Sequence, residues 1–399
     1  MIKHVGKIKF LILLLWCSAC KGQPSTPPNP DANPATKPAV ITGAMQLDVL
    51  LPMLASRKVG IVVNHTSLVG KTHLADTLLK RNVDLIKIYA PEHGFRGTAD
   101  AGEEIKDGVD SRTNLPVVSL YGNNKKPTTQ QLADVDVVIF DIQDVGVRFY
   151  TYISTLHYVM EACAENNKKL IVLDRPNPNG HYVDGPILEK EFKSFVGMHP
   201  IPIVHGMTIG ELARMINGEG WLEGSRTCDL EIVPVKNWKH ADPFSLPVKP
   251  SPNLPNDQAI ALYPSTCLFE GTVISLGRGT QMPFQIIGHP DLKNMPFQFT
   301  PVSIDGMSKN PPLENKVCYG LDLREVKVKP QLDLSYLISF YRAFPDKDKF
   351  FNNYFEKLAG TAKLREQIRQ GLDEAQIRES WRIDLEKFKE LRKKYLLYP

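Results

Sequence analysis

The chain has 399 residues, a formal net charge of +4 and 42% apolar residues, which is too long for one ordinary core and leaves ample apolar material for two. Part of the positive charge sits in N-terminal lysines, and no basic stripe interleaved with aromatics is present. Nucleic acid is therefore not an expected partner.

Residues 1–20 carry Lys3, Lys7 and Lys9, an apolar run from Phe10 to Trp16, and then Cys17-Ser18-Ala19-Cys20. The run is too short to cross a bilayer and reads as a secretion signal. The small residues before Cys20 resemble the lipobox of bacterial lipoproteins, so a membrane contact through a lipid on Cys20 is expected, although Cys17 stands where an aliphatic residue is usual. The expected location is outside the cytoplasm, periplasmic or at the outer membrane. Residues 21–43, rich in Pro, Asn, Thr and Ala, cannot pack a core and read as a tether. The remaining cysteines, Cys163, Cys228, Cys267 and Cys318, show no CxxC and no zinc spacing and are expected as buried free thiols.

From Val59 the pattern becomes βα repeats. GIVVNHT reads as a strand ending at Asn64 and His65, and Leu74, Leu78 and Leu79 mark a helix face. LIKIYAPEHGFRG, from Leu85 to Gly97, is a second strand that stops at a proline and runs into Glu92, His93 and Arg96. LPVVSLYG is a third apolar run whose place in a sheet the pattern leaves open. Thr128 with Gln131 has capping-box spacing. VDVVIFDIQDVG ends at Asp141, Gln143 and Asp144, Ile153, Leu156, Met160 and Cys163 share one helical face, and KLIVLDRPNPNG ends at Asp174 and Arg175. Strands alternating with helices predict a mostly parallel sheet covered on both faces. Its polar strand ends then converge on one rim, where ligands bind in such folds.

Residues from Gly185 to His205 read as an irregular connection. Thr208 and Glu211 form a second capping box and predict a helix from about Thr208 to Asn217. DLEIVPVKNW follows as a strand, and the Pro-, Asn- and Gly-rich stretch from Ser251 reads as a long functional loop. Near the C-terminus, Leu385, Phe388, Leu391 and Tyr395 make the apolar stripe of a docking helix.

HTSLVGKT lacks the first glycine of a phosphate-binding loop, and neither GxGxxG nor GxSxG is present, so no nucleotide, dinucleotide or serine-esterase chemistry is expected. No metal is expected either, because His65 and His93 lack HxxH or HExxH spacing and suit hydrogen bonding to a substrate. Glu92, Glu103, Asp144 and Glu270 lie in loops among glycine, histidine or arginine. Paired carboxyls of this kind suit glycoside hydrolysis, one donating a proton to the leaving oxygen and another serving as base, nucleophile or electrostatic partner. Glu92 suits the donor because it follows a buried strand, where desolvation favours the protonated form. The same position suits a structural cap on nearby backbone amides, and spacing alone does not separate the two. Arg148 pairs with Asp144 or grips a carboxylate, Tyr150 is core or a sugar-stacking ring, and Arg278, between glycines in SLGRGT, is a ligand contact.

The strings APEHGFRGTADAGEE, YGNNKKPT, DVVIFDIQDVGVRFYTYISTL, LDRPNPNG, HGMTIGELA, SPNLPN, YPSTCLFEGT, GRGT and KYLLYP together resemble the exo-acting β-N-acetylmuramidase family, long catalogued as a domain of unknown function. The resemblance spans about Gln46 to Pro399. It implies an α/β fold, with a Rossmann-like, mostly parallel sheet domain (44–205), a smaller α+β domain (206–399) and an active-site cleft between them. It also implies hydrolytic release of terminal non-reducing N-acetylmuramic acid from peptidoglycan-derived sugars, without a cofactor. Glu92 corresponds to the family's PEHG glutamate, the expected catalytic acid. Asp144 and Glu270 carry over as further catalytic candidates, and the substrate's own 2-acetamido group is an alternative nucleophile. Asn64, His65, His93, Glu103, Tyr150 and Asn253 are the expected substrate contacts, with Arg96, Arg148 and Arg278 as candidate cations for the lactyl carboxylate. A muropeptide-binding lipoprotein that performs no turnover is the alternative, and a metal-dependent amidase or deacetylase ranks behind both.

Overall fold

The β-branched runs form the strands expected of them. In a computed structural model, which describes residues 38–92, 94–95 and 107–399, Val40–Pro399 make one unit. Its central sheet contains β1 (Val59–Val63), β2 (Leu85–Ala90), β3 (Gly108–Val109), β4 (Pro116–Ser119), β5 (Val137–Asp141), β6 (Lys169–Leu173) and β7 (Leu230–Val233). The spatial order is β3-β4-β2-β1-β5-β6-β7. All neighbours are parallel except the β3–β4 edge pair.

Successive residues of a strand point to opposite faces, and here both faces are buried. Val62, Val138 and Phe140 enter the larger core, while Ile61, Val63, Val137 and Ile139 enter the smaller one. The chain runs outward from β1 through β2 and β4, then returns to the other side of β1 with β5. That reversal opens a crevice beyond the carboxyl ends of β1, β2 and β5, the place where doubly wound sheets bind ligands.

The LPVVSLYG run takes its place as β4, paired with β2. Helix α1 (Tyr152–Glu165) buries Ile153, Leu156, Met160 and Cys163 together, as their spacing predicts. The capping boxes at Thr128 and Thr208 are both formed, the second opening α2 (Ile209–Gly218). One expectation is corrected. The stretch from Ser251 is not a continuous loop, because Asn256 accepts from the Ala259 amide and starts α3 (Asp257–Thr266). A side-chain cap and the buried Ala259, Ile260, Leu262 and Tyr263 outweigh the proline at 264. The parallel sheet also continues past residue 205, since β7 comes from residues 230–233.

The C-terminal part adds an antiparallel sheet of β8 (Ile286–His289), β9 (Phe297–Phe299) and β10 (Cys318–Asp322), with β10 central. Short helices follow, among them α4 (Phe355–Ala359) and α5 (Arg382–Arg392), which buries Leu385 and Phe388. The final KYLLYP returns to the first sheet, where Leu397 and Tyr398 amides donate to Glu211 Oε1 at 2.7 and 3.3 Å and the Tyr398 hydroxyl donates to Asp174. Cys163, Cys228, Cys267 and Cys318 are buried free thiols. The signal, Cys20 and most of the tether lie outside the described residues.

Candidate active site

The polar strand ends do meet at one rim, but most of them satisfy each other. Arg175 makes a two-pronged contact with Asp141, Nε to Oδ1 at 2.6 Å and Nη2 to Oδ2 at 2.9 Å. Asp174 accepts from the Thr208 hydroxyl at 2.6 Å and the Gly210 amide at 2.9 Å. Burial holds its carboxyl up at about 6. Gln143 donates to the carbonyls of Asp144 and Pro176 at 2.8 and 2.7 Å. Buried polar groups must find partners, and here the partners are one another.

Glu92 differs. It lies just past the end of β2, separated from it only by Pro91, and its carboxylate reaches across the crevice. Tyr121, just past β4, donates to Oε1 at 3.1 Å, and Thr151 donates to Oε2 at 3.2 Å. Thr151 stands at the N-cap of α1 yet makes no side-chain cap there. Its hydroxyl serves Glu92 instead of the helix. The Tyr152 hydroxyl donates to the Glu92 carbonyl at 3.4 Å, fixing the backbone as well. Burial, reinforced by the neighbouring Glu92, holds the Tyr121 phenol well above its ordinary value, so it stays a neutral hydroxyl.

A cavity of about 390 Å3 opens beside this carboxylate, within the range of small-molecule sites. Its walls include Tyr150, Asn253, Glu270, Arg278, Tyr354 and Lys357. A second hollow of about 780 Å3 shares Glu92, Glu270, Arg278 and Tyr354 with the first. Glu270 ends a 3-10 turn and receives Arg278 Nε and Nη2 on Oε1 at 3.0 and 2.6 Å. Burial disfavours the Arg278 cation, and Glu270 beside it more than offsets this, so the guanidinium is held above its ordinary value. Asn253 is only 2% exposed. Its Nδ2 donates to the Met307 carbonyl at 2.9 Å, while its buried Oδ1 has no donor among the described residues.

Among the expected site residues, Glu92, Glu270, Arg278, Asn253 and Tyr150 line the first cavity. Tyr150 is wall and core at once, with its hydroxyl on the Pro250 carbonyl at 2.8 Å and its ring edge-on to Tyr152. Asn64 is fully buried and holds its own turn, accepting from the Thr66 amide and hydroxyl at 2.9 and 2.6 Å. His65 contacts the Lys249 carbonyl at 2.8 Å and borders a different hollow. Arg148 neither pairs with Asp144 nor lines either hollow. It is completely buried, and its two terminal nitrogens donate to the carbonyls of Pro186, Ile201, Leu358 and Ala359 at 2.7–3.0 Å.

Asp144 is buried and borders neither hollow. Oδ2 accepts from the Gly146 amide at 2.7 Å, His205 Nε2 stands 3.9 Å away, and Oδ1 has no partner among the described residues. Burial pushes its carboxyl up to about 7. His93, Arg96 and Glu103, expected as substrate contacts or cations, lie outside the described residues. Tyr121, Thr151, Tyr354 and Lys357 were missed. Tyr121 and Thr151 lie in or beside strings that carry the resemblance, but the first two tyrosine- and threonine-type side chains carry no charge that would have singled them out. The group Glu161, Glu165 and Glu223 has ligand-atom spacing suited to a metal among the described residues. Lys126 binds the first two at 2.9 Å each, and none of the three borders the Glu92 cavities.

A doubly wound sheet whose rim presents Glu92 to a small-molecule cavity, which Glu270 also lines from the turn after α3, has the form of an α/β enzyme. Two family models described as exo-β-N-acetylmuramidase NamZ match the chain, the N-terminal one over residues 59–258 and the C-terminal one over 261–398. The chain belongs to the exo-β-N-acetylmuramidase family. It is 40% identical to the peptidoglycan β-N-acetylmuramidase NamZ of Bacillus subtilis strain 168, over 94% of this chain and 95% of that protein. Crystal structures of two DUF1343 family proteins from Bacteroides fragilis NCTC 9343 are also similar. One has a TM-score of 0.85 at 49% identity and the other 0.76 at 31%, each over 90% of this chain and 99% of its own.

Proposed function

We propose that this enzyme removes terminal, non-reducing N-acetylmuramic acid from peptidoglycan fragments by hydrolysis, with Glu92 as general acid. The observation that carries the reading is the position of Glu92, on the wall shared by two hollows and tethered by Tyr121 and Thr151. An acid that protonates a glycosidic oxygen must sit between the sugar retained and the sugar released. In this reading the smaller cavity holds the muramic acid and the larger hollow the departing sugar. Glu270, paired with Arg278, is the electrostatic partner of the positive charge that develops on the ring. Asn253 Oδ1, a buried acceptor without a donor among the described residues, receives the acetamido N–H and orients that group. The proposed site of action is outside the cytoplasm, on the strength of residues 1–20 alone.

The test is a purified N-acetylmuramyl-N-acetylglucosamine disaccharide given to wild type and to Glu92→Gln. Release of free N-acetylmuramic acid by wild type, lowered roughly 10²–10⁴-fold in Glu92→Gln, is the expected result. Tight binding of the disaccharide by wild type without release would instead establish a binding protein.

A further inference from the structure

The muramic acid reading makes one chemical demand that Arg148 and Arg278, the two offered arginines among the described residues, leave unmet. The lactyl group at C3 of this sugar ends in a carboxylate. The Glu270 carboxylate already lines the proposed cavity, so an anionic sugar enters against like charge unless a cation faces it. Arg148 is sealed beneath the site on four carbonyls. Arg278 lines the cavity but gives Nε and Nη2 to Glu270.

Lys357 lines the same cavity. It lies on α4, keeps solvent contact, and makes no ion pair among the described residues. Its backbone is nevertheless held firmly. The two carbonyls that follow it, those of Leu358 and Ala359, are the ones that receive Arg148 Nη2, at 3.0 and 2.7 Å. Gly360 then turns the chain with φ 78°, and a Cβ there would stand 2.4 Å from Arg148 Nη2. The buried arginine thus fixes the backbone next to the exposed lysine that lines the cavity. Ser194, whose buried hydroxyl oxygen has no partner among the described residues, lines the same cavity.

Resting on the proposed function, we infer that Lys357 is the specificity-determining residue that receives the lactyl carboxylate of N-acetylmuramic acid, with Ser194 as a hydrogen-bonding neighbour. Lys357 selects muramic acid over N-acetylglucosamine, which has the same ring and acetamido group but no lactyl acid. Arg148 acts as a positioning residue for this contact.

The experiment compares one chromogenic β-N-acetylmuramide carrying the free lactyl acid with the same compound as its lactyl methyl ester. In wild type the ratio of kcat/KM, acid over ester, should exceed one. In Lys357→Met it should fall roughly 10–100-fold, through KM rather than kcat, and Lys357→Arg should restore most of it. Because both substrates are measured on the same protein, a folding loss cancels from the ratio. An unchanged ratio in Lys357→Met overturns the assignment. A second arm does not depend on turnover. Titration calorimetry with free N-acetylmuramic acid should show weaker binding to Lys357→Met than to wild type, with N-acetylglucosamine bound equally by both. Equal binding of muramic acid by the two proteins overturns the Lys357 contact even if hydrolysis is demonstrated. Weaker binding supports it even if hydrolysis is not found.

Discussion

Glu92 and Asp144 both follow buried strands, and the fold treats them in opposite ways. Glu92 is held by hydroxyls from two other elements and faces open space. Asp144 is enclosed with one oxygen unpartnered among the described residues. If the tethers aim Glu92, Tyr121→Phe and Thr151→Val should each lower kcat about 10-fold, the order expected for one hydrogen bond to a charged group, with melting temperatures little changed. Steady-state kinetics beside thermal melts checks this. Asp144 gives a pH prediction. Its folded value of about 7 lies above the unfolded 3.8, so the native state holds the extra proton. The stability it contributes is present below the unfolded value and is lost as pH rises through about 7. Asp144→Asn should therefore raise the melting temperature relative to wild type more at pH 8 than at pH 5, by on the order of a few °C. A difference independent of pH would argue against the enclosed carboxyl. Sequence reasoning found both residues because charge after an apolar strand is visible in the string. It did not separate them, because which one meets a cavity depends on tyrosines and threonines contributed from elsewhere in the chain.

At the scale of elements, the same limit explains Arg148. Its string is rich in charge and aromatics and suggested a ligand contact, whereas its partners are carbonyls 38 to 211 residues away in sequence. Nothing local encodes that. Arg148→Met would leave four buried carbonyls without their donor, at about 1–3 kcal/mol for each left unsatisfied. A fall in melting temperature on the order of 10 °C is expected, and calorimetry measures it. A loss as small as that of a surface substitution would mean that the carbonyls find other partners. Gly360 belongs to the same device, and Gly360→Ala should reproduce part of the loss. By contrast the helices opened by Thr128 and Thr208 were readable from the sequence, because a capping box involves only residues three apart. Helix α3 was not, because the density of Pro and Asn around it outweighed a four-residue buried core in the pattern.

Over the whole molecule, the βα alternation from Val59 and the mostly parallel sheet were legible in the hydrophobic period together with the caps. The long-range closure did not. The C-terminal tail crosses back to Glu211 and Asp174, and Tyr398 also receives the Val235 amide on its hydroxyl at 2.9 Å. Deleting residues 394–399 removes these partners from buried carboxylates. It should broaden and lower the thermal transition of the entire chain, as read by circular dichroism, not of the C-terminal part alone. The two carboxylates of the site likewise come from distant segments, Glu92 from the sheet rim and Glu270 from the turn after α3.

The most direct test of the central claim is how the effect of Glu92→Gln depends on the leaving group. Single-turnover rates would be compared for a muramide with a nitrophenolate, which departs without help, and for one with a sugar, which requires a proton. If Glu92 donates that proton, the loss should be small for the first and roughly 10²–10⁴-fold for the second. An equal loss on both would contradict the assignment of Glu92 as the acid.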